Sequence, residues 1–95
     1  MTLADFYHSL SEDQPAKHWS VQLQSLWFDA KGDWKNAHDL VDLLEDRKSA
    51  HVHAYLHRVE GDQWNARYWY NRAKQPECRL DLKEERDALI SSLLP

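Results

Sequence analysis

The chain has 95 residues, 42% of them hydrophobic and 29% charged, with a formal net charge of −4. That suffices for one domain near the small end of what buries a core unaided, and the acidic balance excludes a general polyanion binder, which needs a clustered cationic surface. The single cysteine, Cys78, excludes a disulfide framework and fits a reducing cytoplasm, while no basic or apolar N-terminal run reads as a secretory signal and no stretch approaches the ~18 apolar residues that would span a membrane.

In chain order, Thr2 with Asp5 reads as a cap for a first helix over about 3–10, carrying Leu3, Phe6, Tyr7 and Leu10. Ser11 to Gln14 form a polar connector. From Pro15 a second helix places Ala16, Trp19, Leu23, Leu26, Trp27 and Ala30 on one face. After Gly32 a third carries Trp34, Ala37, Val41 and Leu44. A fourth carries Val52, Tyr55, Leu56 and Val59. Beyond Gly61, a fifth carries Ala66, Trp69, Tyr70 and Ala73. Asp81 and Glu84 open a last helix over about 82–93 with the stripe Leu82, Leu89, Ile90 and Leu93. The spacing in each set is close to i, i+3, i+4, i+7, which is the mark of an amphipathic helix. Threonine, valine and isoleucine together number only six, too few to furnish a sheet. The pattern predicts an all-α protein of six helices, forming a single domain over 1–95.

Both glycines follow a periodic run and precede an aspartate, the order expected of a left-handed helix stop followed by a cap. They are 29 residues apart, and the same offset pairs Asn36 with Asn65, Ala37 with Ala66, Leu23 with Val52, Leu26 with Tyr55 and Val41 with Tyr70. Helix stops, caps and apolar registers all repeat together. A period of this size is the signature of stacked helical units.

The stretches Lys31-Gly32-Asp33-Trp34-Lys35-Asn36-Ala37 and Glu60-Gly61-Asp62-Gln63-Trp64-Asn65-Ala66, the second followed by Tyr70, Ala73 and Pro76, resemble the tetratricopeptide turn and second helix. The period is shorter than that family's ~34 residues, and Gln63 stands where the family has an aromatic. The resemblance implies two hairpins, about 19–46 and 48–75, flanked by a capping helix at each end. It also implies a non-enzymatic module that binds a protein or peptide, a second copy of the chain included. The run His53-Ala54-Tyr55-Leu56-His57-Arg58 with Tyr68-Trp69-Tyr70 further resembles a group of short bacterial proteins, a likeness that implies fold and no activity.

Two constellations stand out. Trp64 and Tyr68 lie one turn apart, opposite the Ala66, Trp69, Tyr70 and Ala73 stripe, flanked by Arg67 and Arg72; their first-unit equivalents are the polar Lys35 and Asp39. Such a pair is either a partner surface, since arginine with aromatics composes binding hot spots, or a face covered by the last helix. His53, His57 and Glu60 share one flank of the fourth helix and could hold a small molecule or a metal, for binding or for catalysis, which is the alternative to the interaction module. The blander reading makes both histidines hairpin-facing core residues near Ala66 and Tyr70. The metalloprotease motif is absent because Ala54 follows His53, and both glycines are used at helix ends, leaving no phosphate loop. His38 reads as near the exposed face of the third helix. Arg58, Arg67, Arg72, Lys74 and Arg79 among aromatics suggest single-stranded nucleic acid, but Glu60, Asp62 and Glu77 dilute the charge, and no nucleic-acid partner is assigned. No cofactor is implied.

Overall fold

Each helix begins where a side-chain oxygen takes up one of the N–H groups that the first turn leaves unpaired. In the computed structural model, which describes residues 1–95, Thr2 caps α1 (Leu3–His8) in a full capping box with Asp5. Ser20 caps α2 (Val21–Ala30), Asp33 caps α3 (Trp34–Val41) and Asp46 caps α4 (Arg47–Val59). Asp62 caps α5 (Gln63–Ala73) and Asp81 caps α6 (Leu82–Leu93). The fold is all-α, six helices with one 3₁₀ turn at Ser9–Ser11 and no strand.

The two glycine turns are built alike, bond for bond. Gly32 and Gly61 sit at φ of 85° and 84°. Each donates to the carbonyl three residues back (Asp29 and Arg58), and the following aspartate donates to the carbonyl five back (Phe28 and His57, both 2.8 Å). These two bonds define a Schellman stop. Asp33 then accepts from the Asn36 backbone and side-chain amides at 3.2 and 2.6 Å, and Asp62 does the same for Asn65 at 3.1 and 2.6 Å. One aspartate thus ends one helix and starts the next. Helix α5 ends in the same two-bond stop, but its left-handed position (φ 59°) is held by Lys74.

The stops fold α2 against α3 and α4 against α5, with the fully buried Ala37 and Ala66 letting each pair approach closely. The core runs through Phe6, Leu23, Leu26, Trp27, Val41, Val52, Tyr55, Leu56 and Ile90, so α6 closes it from the far end of the chain. Helix α6 packs on α4, α2 and α1, a wider seat than the second hairpin alone that its position in sequence suggests. Leu89 and Ile90 are buried, whereas Leu82 at the start of the stripe is exposed.

Three boundaries differ from the sequence reading. The second helix starts at Val21 rather than Pro15, because Ser20 Oγ takes the Leu23 N–H and the Gln24 side chain ties down the Trp19 carbonyl. Trp19 therefore packs from a turn, stacked on Phe6 at 5.7 Å between ring centroids. The first helix tightens into the 3₁₀ turn after His8, and Leu44 lies past the end of α3.

Two polar networks lie inside the shell. Glu85 of α6, 3% exposed, accepts from Arg58 Nη1 of α4 and from the Tyr70 hydroxyl of α5, both at 2.5 Å. Arg58 Nη2 also donates to the Leu80 carbonyl at 2.6 Å. In the second network the Tyr55 hydroxyl donates to Asp29 at 2.6 Å, Arg86 lies 3.6 Å from the same carboxylate, and Arg86 Nε reaches the Tyr7 hydroxyl, which in turn donates to Asp87. Burial first, then the carboxylate acceptors Asp29 and Glu85, push both phenols, Tyr55 and Tyr70, well above the ordinary tyrosine range. No helix is long and apolar enough to cross a membrane.

Candidate functional site

The outer face of α5 carries the first candidate. Trp64 is 71% exposed and Tyr68 44% exposed, so α6 does not cover them, and that half of the sequence alternative is overturned. The physical reason is the seat of α6, which goes to the α4, α2 and α1 side where Leu89 and Ile90 find apolar partners. Trp64, Arg67, Tyr68 and Asn71 line a shallow depression, and Glu45, Arg47, Arg72 and Lys74 continue it beside Tyr68 and Asn71. Arg72 lies over the Tyr68 and Trp69 rings at 5.9 and 5.5 Å and donates to the Tyr68 hydroxyl at 3.0 Å. Arg67 is tied to Glu77 at 3.3 Å. Arg58, by contrast, turns inward to Glu85 and takes no part in this surface.

The second candidate is the histidine flank of α4, and the structure alters its membership. His53 and His57 are buried, as the core reading expects, but the ring facing them comes from α3. His38 is half-buried rather than exposed: its Nε2 stands 3.1 Å from His53 Nε2, and its ring centroid is 5.5 Å from that of His57. Ala54, on the same helix, packs against Ala66 and Tyr70. His53 instead stacks on Trp69 at 3.9 Å with an interplanar angle of 15°, and His38 stacks on Trp34 at 4.7 Å and 11°. Trp34 is itself anchored by its Nε1–H to the Leu56 carbonyl at 2.7 Å. Glu60 pairs with His57 Nδ1 at 2.6 Å and thus stands behind that ring rather than beside His53.

The electrostatics follow from the packing. Burial first, then the neighbouring His57 and His38 rings, push His53 down to about 3, so it is a neutral imidazole at physiological pH. Its Nδ1 is buried without a hydrogen-bond partner. One ring nitrogen from each of His38, His53 and His57 lies within 4.8 Å of the other two. His38 is not legible as part of this cluster in the sequence, because a polar face on α3 conceals that the Trp34–His38 pair, one turn apart, is aimed at α4.

Cys78 and His51 border a third hollow of about 290 Å³ between the 75–80 loop and α6. Burial raises the Cys78 thiol above its ordinary value, which makes it a poor nucleophile. Comparison with protein-family models, with curated proteins and with solved structures finds no match, so any functional reading rests on the chain's own residues.

Proposed function

We propose that the chain is a non-enzymatic interaction module of the cytoplasm, which binds an acidic peptide segment of a protein partner along the outer face of α5. The observation that carries this reading is the exposure of Trp64 and Tyr68, one turn apart on a helix fixed at both ends. Large aromatics left in water on a rigid element provide contact area at small ordering cost. The charge around them gives the partner its sign. Arg47, Arg67, Arg72 and Lys74 border the two depressions against Glu45 and Glu77, a local excess of cations on a chain whose net charge is −4. The tetratricopeptide-like order of turns and helices supports the same class of function by analogy of fold.

A display library of peptides tests it. Bound sequences should carry acidic residues around an apolar anchor, and their affinity should fall as salt is raised. Trp64→Ala with Tyr68→Ala should weaken them by roughly 30-fold or more, the scale of a hot-spot loss of ~2 kcal/mol. Peptides that bind the doubly substituted chain equally well would overturn the reading. So would a patch filled by a second copy, seen as a concentration-dependent dimer that the same substitutions abolish and that no peptide displaces.

A further inference from the structure

Three imidazoles drawn from two helices gather with one ring nitrogen of each within 4.8 Å of the other two, and nothing in the peptide-binding reading uses them. A core position that needed only to be filled would hold leucine, since a buried polar group without a full set of partners is costly. We propose that His38, His53 and His57 form a three-histidine site for a divalent transition metal, with zinc the fitting ion.

The geometry suits that ion. Zinc takes imidazole nitrogen at ~2.0–2.1 Å, so two ligand nitrogens on a tetrahedral ion stand ~3.3 Å apart. His38 Nε2 and His53 Nε2 are already 3.1 Å apart, and the third ring offers a nitrogen within 4.8 Å of both. Closing the site needs a turn of the His57 ring out of its stack on His53, because a ligating lone pair lies in the ring plane and the two planes differ by only 20°.

The surroundings are those of a ligand set. Glu60 holds His57 Nδ1 at 2.6 Å, which places the proton there and leaves Nε2 bare to ligate, the carboxylate–histidine arrangement that orients metal ligands. Trp34 and Trp69 press flat on the His38 and His53 rings, fix their planes and keep bulk water from the inner side. The charged groups paired with the cluster are carboxylates, Asp42 at His38 and Glu60 at His57, and both favour a bound cation. Asp42 Oδ1, 3.7 Å from His38 Nε2, marks the solvent side, where a water takes the fourth position. Imidazole donors of this kind select zinc, copper, nickel or iron over magnesium and calcium.

The experiment uses the full chain, stripped with chelator and titrated with Co(II) alone, whose visible bands report tetrahedral nitrogen ligation, followed by competition with Zn(II). The parent should saturate at one cobalt per chain, lose the bands to zinc, and change its tryptophan fluorescence in step. His38→Ala is the decisive variant because its side chain is 19% exposed and its removal opens no sealed cavity. Its far-UV circular dichroism should match the parent and its metal-free melting should stay cooperative, lowered only by the lost contacts of His38 with His53 Nε2 and the Trp34 ring, while the cobalt bands are lost. Glu60→Gln should keep the bands and weaken affinity 10–100-fold, as removal of an orienting carboxylate does. His18→Ala, remote from the cluster, should change neither. A parent without saturable bands, or a His38→Ala chain that binds cobalt like the parent, would overturn the site and leave three core histidines.

Discussion

Removing the buried carboxylate of Glu85 should be among the costliest single changes in this protein. Glu85 is the acceptor for Arg58, whose side chain is 14% exposed, and for the Tyr70 hydroxyl, and through Arg58 it is linked to the Leu80 carbonyl. Glu85→Ala therefore strands a nearly buried guanidinium and a buried phenol at once. Breaking a buried pair by deleting one partner costs about 3–5 kcal/mol. Tyr70→Phe removes only one hydrogen bond to a charged acceptor, about 1.5–3 kcal/mol. Against a total stability of about 5–15 kcal/mol, the first change leaves a marginal protein and the second a weakened one. Glu85→Gln keeps an acceptor but leaves Arg58 without a counter-charge, so it should fall between them. Urea unfolding followed by circular dichroism measures all three, and the double variant Tyr70→Phe/Glu85→Ala adds a cycle. The two effects should be non-additive by about 1 kcal/mol or more, since the alanine already deprives the hydroxyl of its acceptor. A Glu85→Ala loss no larger than that of Tyr70→Phe, or a strictly additive cycle, would refute the network as an energetic unit.

The left-handed stops give a matched set of substitutions. Gly32→Ala and Gly61→Ala should each cost roughly 1 kcal/mol, and nearly the same amount, because a Cβ at either site meets nothing within 4 Å and only the positive φ is strained; unequal losses in chemical unfolding would point to a contact rather than to the backbone. Lys74→Gly should stabilise by up to ~1 kcal/mol, since a side chain now occupies the same conformation at the end of α5, and a lower melting temperature would count against it. Ending the chain after Gln75 should abolish cooperative melting, because it removes the buried Leu89 and Ile90, each worth about 1.5–3 kcal/mol, together with Glu85; an unchanged melting curve would make α6 an appendage. Tyr55 and Tyr70 have folded values above the unfolded phenol value of ~10, so they stay protonated in the native state while the unfolded chain ionises. Stability is then intact below pH ~10 and falls as pH rises past it. Ultraviolet titration should show both phenols silent until the chain unfolds, and early ionisation of either would contradict their burial.

The helices and their stops were legible in the sequence because both are local. A cap reaches three residues and a Schellman stop spans six, so the aspartates and glycines carry them in a short window. The internal offset exposed the pairing of α2 with α3 and α4 with α5 for the same reason. The false start at Pro15 shows the limit, since Ala16 and Trp19 have helical spacing but the Ser20 cap decides where the coil begins. Contacts between distant helices lie outside any such window. Glu85 reads as a surface residue of an amphipathic helix until Arg58 and Tyr70 are brought to it from 27 and 15 residues away. His38 reads as exposed until α3 is rotated toward α4 by the Trp34 anchor on the Leu56 carbonyl. The exposure of Trp64 and Tyr68 likewise turned on where α6 came to rest. Sequence set the periodicity of each element, and packing alone set which polar groups on those elements would meet, because side-chain encounters depend on the angle and depth at which whole helices cross.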